Sequence, residues 1–589
     1  MIEYPFLKEQ PSTRQVVDTF KGYNHNLRIG SGEFYEMENM TAEDCPVLSS
    51  RGKRGVLADL HYGCAGMLYV PGKGLFYLED IGGNSILYLR TQDGTVTKVA
   101  AFNPNRKTLV LIGTRLVIAP DMKWVDIESL ACGDLDEKWT VRTDTVAIQM
   151  CDIDGNVYQD VTYSPEPPSA PGYHELWLCN AIGSIGLRQY ETLTSEWVSI
   201  PSTYLKLTGL GDHYFNTYDA VDISGLIGTA IGLNGSHLIQ RVSHGDIVIS
   251  GIMTEEHKPQ DCTQNPITIE RKVPELDFLV ESGNRLWGCR KDTNEIYACK
   301  LGDITNWNCF QGLSTDSWVG SVGTPGEFTG AIVQNGYPVF YKENCKHKVW
   351  PSSTGAHQIT TAACDGVEKG SQNSLAVLDG TVFYKSAFGI VADDGGGTVE
   401  IGRALGDVQY SSAAGAILNR KYYLTLSEGL GKRQLFVYDI DKKIWCKENY
   451  SASDYKVDIC YLCPGGNSLY ATSDHQLLDL TGNTGTLEDK VSWKVETGDL
   501  GLELPEQKYI SRLTLRLSLE PGATLEIYVK YDSEPVWVKL GQVYGTDLRS
   551  FSLPVRPRRC DHLRLKLQGT GMCKVYSITK TLEKGSELT

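Results

Sequence analysis

The sequence predicts an all-β chain: a β-propeller of six or seven blades, an inserted small β-domain region and a C-terminal β-sandwich of jelly-roll type. Three observations predict it. The chain is rich in glycine (60 residues) and tyrosine (31), the composition of many turns and half-buried aromatic strand positions. A short turn-and-strand motif recurs along the middle of the chain. After residue 485 that motif stops and a strict apolar-polar alternation begins.

With 589 residues, the chain exceeds what one growing core accommodates, so two to four domains are expected. The first, 1–55, is read as an extended assembly segment. Its opening, Met1 to Lys8, lacks the charged start and apolar run of a secretory signal, and no later stretch approaches a membrane span.

Two propeller segments, 56–141 and 273–485, carry the repeat: a turn residue (Gly, Asn or Asp), an apolar-aromatic strand, a polar turn and a second strand. It begins at Gly74, Gly113, Asn284, Asn335, Asp379, Asn419 and Asn467. Its steps of 39, 51, 44, 40 and 48 residues match one four-stranded blade. A lone twisted sheet cannot bury two apolar faces, whereas a ring of sheets buries each face against its neighbour. Blade number stays open between six and seven, since the far end of the chain can supply one strand.

The step of 171 residues between Gly113 and Asn284 exceeds a blade by roughly 125, which places an insertion at 142–272. Within it, Asp154-Gly155 marks a hairpin, and the runs at Tyr218, Leu233 and Asp246 read as a compact barrel of short strands. In the last domain, 486–589, segments such as Arg512 to Leu519 and Thr524 to Tyr531 alternate apolar with charged residues, as half-solvated antiparallel sheets do.

Motifs for catalysis and binding are fragmentary. Asp152, Asp154 and Asn156 resemble the start of a calcium loop, but the bidentate glutamate is missing and a hairpin turn accounts for them. Cys460 and Cys463 form a lone CxxC without a second pair, and residues three apart on a strand face opposite ways. The 16 cysteines are scattered singly and are read as reduced thiols. No HExxH or GxSxG occurs among motifs built on the 11 histidines or the serines, and the propeller repeats lack the sialidase-type Ser-x-Asp-x-Gly-x-x-Trp turn. His25 is expected in a loop or core. Gly395 to Gly397 follow two aspartates and lack the lysine of a phosphate loop, and Trp287, Trp307, Trp350 and Trp445 are expected to pack between blades. The chain is therefore read as non-enzymatic, with no catalytic residue, cofactor or metal. The one binding surface picked out is a glycan platform at Trp537 and Tyr531. Tyr528 is also a candidate, but it is out of phase with Tyr531 along the strand.

The segment from Phe20 to Thr41, followed by Cys45 to Gly55, resembles the N-terminal region of structural proteins of tailed bacteriophages. Gly283 to Gly288, with Ile296-Tyr297 and Leu301 to Trp307, is similar to a blade of the tail nozzle (tail tubular protein B) propellers. The resemblance implies a virion structural protein of the tail, assembled in the bacterial cytoplasm. It would be a nozzle or hub subunit that forms a homo-oligomeric ring with its own copies and contacts other tail or connector proteins. DNA would pass through that ring without specific binding. The formal charge of −16 agrees, since phosphate-gripping surfaces need clustered Lys and Arg. The alternative is a tail adaptor or a module that binds a host-surface glycan through the sandwich.

Overall fold

The computed structural model describes residues 12–584 except 62, 202, 430–431, 450, 453–454, 457–458, 474, 503–507, 554 and 556–557. Met1 to Lys8 thus lie outside the described residues. The described chain is almost entirely strand, with three short 3-10 turns, and no described helix is long and apolar enough to cross a membrane.

Six four-stranded antiparallel meanders span 64–102, 108–134, 278–321, 328–363, 376–400 and 411–447. A seventh sheet takes three strands from 459–479 and is completed by Gly55–Asp59, brought from a distant region of the chain, and by the nearby Thr486–Leu487. The first strands of these sheets touch in sequence, and Ile459–Gly465 returns to touch Cys64–Val70. The result is a propeller-like ring. Apolar clusters fill the spaces between successive sheets. One joins Phe76, Leu78 and Leu87 to Leu116 and Ile118, and another joins Trp287 and Ile296 to Phe340 and Val349.

The recurring turn residues sit between the first and second strands of the seven sheets. At Asn335-Gly336 and Asp379-Gly380 both residues adopt positive φ (54° and 81°, 50° and 78°), the two-residue hairpin geometry whose twist matches that of the flanking strands. Asn and Asp tolerate the left-handed region at the first position, and the following glycine carries no Cβ to resist it.

The insertion runs from Glu137 to Arg271. The strand Glu137–Val141 belongs to it, so the boundary expected at 142 moves five residues earlier. Eight strands form one sheet around a core that includes Val146, Leu205, Ile223, Ile249 and Ile269. A second, four-stranded sheet, 161–199, is carried between two strands of the first. Arg271 fastens the insertion to the ring. Its guanidinium meets Asp219 at 2.7 Å, Glu137, and the Thr305 hydroxyl at 3.2 Å, while the Asn306 amide donates to Asp219 at 2.9 Å.

Of the extended assembly segment expected at 1–55, the described residues 12–50 pair with the C-terminal strands. Ser12–Val17, Gly22–Tyr23, Glu33–Glu38, Met40–Thr41 and Leu48–Ser50 all join the eleven-stranded assembly of 492–584. The reason is pairing: Ser12–Val17 lies along Ile578–Glu583, and Glu33–Glu38 along Lys494–Thr497, giving edge strands partners. The same segment glues sandwich to ring through Tyr23 against Phe436 and through the ion pairs Arg51–Glu488 and Arg54–Glu448.

Candidate ligand site at the mouth of the ring

The first strands of the ring sheets are short and apolar because each has neighbours on both sides, and their inward side chains line an axial channel. This cavity has a volume of about 530 Å³ and takes Met67, Leu109, Val280, Ile332, Val377 and Leu462 from different sheets. Close approach depends on glycine at Gly66, where a Cβ would lie 2.7 Å from Leu109 Cδ1 and 2.9 Å from the Lys107 carbonyl.

At the end where the first strands begin, the channel opens into a polar mouth of about 430 Å³. Lys107, Thr108, Gln372 and Asn373 line both spaces, so the two adjoin. Asn105, Arg106, Asp277, Lys291, Glu327 and Lys369 complete the polar rim, with Phe278 and Phe328 beside them. These residues stand just before a first strand or in a turn at the same end. Lys291 is held there because its N–H donates to Asp277 Oδ2 at 2.8 Å and its carbonyl accepts from Phe328 at 2.9 Å.

The charges are partly paired. Lys107 meets Asp121 at 2.5 Å with both side chains buried, and Lys369 meets Glu327 at 2.6 Å on the exposed rim. The Arg106 guanidinium lies 5.9 Å from the centre of the Tyr461 ring. Burial pushes the Tyr461 hydroxyl well above its usual range, with Arg106 opposing, so it stays neutral. Four cations (Arg106, Lys107, Lys291, Lys369) stand against three carboxylates (Asp121, Asp277, Glu327), a local excess of one positive charge on an acidic chain. An apolar shaft under a rim of convergent polar groups is the usual form of a small-ligand site.

The residues singled out in the sequence lie elsewhere. Tyr531 is 6% exposed and faces an inner cluster with Ile510 and Leu563, which removes it from any surface platform. Trp537 is half-buried on the outer face of the sandwich, where Lys566 Nζ lies 4.6 Å from its ring centre and 4.8 Å from that of Tyr528. The phase argument thus resolves in favour of Tyr528: its hydroxyl donates to Glu526, which also accepts from Lys539 and Gln568. Asp152 caps a hairpin turn, its Oδ1 accepting the N–H groups of Asp154 and Asn156 at 2.9 Å. Cys463 is buried and Cys460 half-buried. His25 stacks between Tyr23 and Tyr35 and takes part in joining segment to ring through its N–H to Ala404. Trp287, Trp307 and Trp445 are buried, while Trp350 stays 38% exposed beside Tyr337 and Lys348. Among the described residues no cluster of three or more His, Cys, Asp or Glu stands ready for a metal ion.

The mouth was missed because the repeat that identifies the ring marks the opposite end of each first strand. The available signal was positional: polar residues immediately upstream of each apolar first strand, as in Asn105-Arg106-Lys107 and Gln372-Asn373.

No protein-family model matches the chain, and no curated protein does. Among solved structures, two of an exo-β-1,3-galactanase from Phanerochaete chrysosporium align, one with galactose and one, a variant, with β-1,3-galactotriose. They share 10% and 9% identity, cover 51% of this chain and 94% of that one, and reach TM-scores of 0.20 and 0.21. Both of these structures are of a galactanase and neither is of a virion protein. On that finding, the expectation of a non-enzymatic tail nozzle subunit, with its adaptor alternative, is withdrawn.

Proposed function

We propose that the seven sheets form a closed seven-bladed propeller and that this chain is a carbohydrate-binding protein whose ligand enters the polar mouth of the channel. The observation that supports the reading is the lining that mouth and channel share at Lys107, Thr108, Gln372 and Asn373. Planar hydrogen-bonding side chains (Asn105, Gln372, Asn373, Asp277, Arg106) border half-buried aromatic and apolar surface (Phe278, Leu109). Sugars present that same alternation, hydroxyl edges for planar polar groups and C–H faces for rings. A second reading, hydrolysis of the bound sugar, is favoured by the two carboxylates Asp277 and Glu327 on one rim, since glycoside hydrolysis works with a carboxylate pair.

The test is ligand-detected NMR of the full chain against a panel of neutral and acidic oligosaccharides. The proposal expects binding that falls at least tenfold in Asn373→Ala and is unchanged in Trp537→Ala. Binding lost only in Trp537→Ala would move the site to the sandwich, and silence across the panel would overturn the reading. Sugar release by the wild type that disappears in both Asp277→Asn and Glu327→Gln would establish the hydrolytic form. Kinship with tailed-phage proteins is a separate proposal. It rests on the resemblance of Phe20 to Thr41 and of Gly283 to Trp307, and detectable homologues encoded beside portal genes would support it.

A further inference from the structure

Two cations at the mouth have no acid to answer them. Lys107 is taken by Asp121 and Lys369 by Glu327, whereas Arg106 and Lys291 have no carboxylate within salt-bridge reach among the described residues. Arg106 stands just before Thr108–Ile112, the first strand of the second sheet, and Lys291 in the turn between Leu286–Cys289 and Glu295–Ala298 of the third. The first strands of those two sheets touch, so both cations belong to one side of the opening. Asp277, the one carboxylate of the mouth outside an ion pair, has its Oδ2 occupied by the Lys291 N–H at 2.8 Å.

Arg106 is also oriented. Its guanidinium lies over the ring of Tyr461, a buried side chain of the seventh sheet that lines the channel, so a cation from the second sheet leans toward the axis. Contact with a ring face holds the planar fork without using its N–H donors. Among the described residues no oxygen accepts from them.

We infer that the mouth selects acidic sugars, with the carboxylate of a uronic acid unit paired to the Arg106 fork and Lys291 beside it. This inference rests on the carbohydrate reading and narrows its ligand class. A carboxylate is planar and matches a guanidinium through two parallel N–H···O bonds, which a hydroxyl cannot do. The field of the chain points the same way: Asp and Glu outnumber Lys and Arg by 72 to 56, so a mouth with a surplus cation is a place where an anion is drawn in.

The test is isothermal titration of the full chain with trimers of galacturonate, glucuronate and mannuronate, each beside its methyl ester, which keeps the sugar and removes the charge. At least one acid is expected to bind about tenfold or more tighter than its ester, the worth of a hydrogen bond to a charged group. That preference is expected to shrink below about threefold in Arg106→Gln, to persist in part in Arg106→Lys, and to weaken in the wild type as salt rises. Arg106 is exposed, so these changes leave the fold in place. Acid and ester bound alike, a preference that survives Arg106→Gln, or binding of neutral oligosaccharides without binding of any acid would overturn this inference and leave the carbohydrate reading standing. Silence of acids, esters and neutral oligosaccharides together would overturn both.

Discussion

The ring and the sandwich are both built almost wholly of antiparallel strands, yet they bury them differently. In Gly74–Ile81 six consecutive residues are buried, and in Tyr337–Lys342 five are. In the sandwich, Leu513, Leu515, Leu517 and Leu519 are buried while Thr514, Arg516 and Ser518 between them are not. A ring sheet has a neighbour on each face, so it offers a ligand nothing but its ends. A sandwich sheet keeps one face wet and can offer that face. The proposed ligand site accordingly lies at the axis, where the first strands begin.

The largest effect that sharpens this contrast is on stability. Trp287→Ala, at a fully buried ring position, is expected to cost about 3–5 kcal/mol. Trp537→Ala, half-exposed on the sandwich, should cost under about 1 kcal/mol. Denaturant midpoints would decide, and equal losses would break the comparison.

Next is a titration buried by the double-sided packing. His347 lies between Thr324 and Thr361, each 2.9 Å from a ring nitrogen, and burial, helped by Lys342, pushes its pKa down to about 4. With the folded value below the unfolded one near 6.5, the unfolded chain binds more protons between the two. Stability is therefore present above about pH 6.5 and declines as pH falls toward 4, by an amount on the order of 3 kcal/mol. Thermal unfolding of His347→Gln should show a flatter profile across that window than the wild type, and identical slopes would contradict the assignment.

The smallest effect belongs to the wet face. Arg516→Ala is expected to shift the unfolding midpoint by no more than about 0.5 kcal/mol. A loss as large as that of a ring position would mean the outer face is covered.

The ring was legible because its turns are local chemistry. Asn335-Gly336 and Asp379-Gly380 announce two-residue hairpins whatever surrounds them, and seven such starts mark the seven sheets. The strand Gly55–Asp59, 417 residues from its partner Gln476, was legible only as the possibility that one blade is closed from afar. The union of Ser12–Ser50 with the sandwich was not legible at all, because cross-chain strand pairing leaves no periodic trace in either segment. Of the candidate site, Asn373, Asp277 and Lys291 passed unnoticed since they carry no motif and converge only when the ring closes. Tyr531 was misplaced by one step of the strand alternation, which exchanges the core face for the wet one.

The most direct test of the central claim is a structure of the full chain with an oligosaccharide from the binding panel. The account predicts density in the mouth, within hydrogen-bonding distance of Asn373 and Asp277 and reaching toward Leu109. Sugar seated instead on Trp537 and Tyr528, with the mouth unchanged, would contradict it.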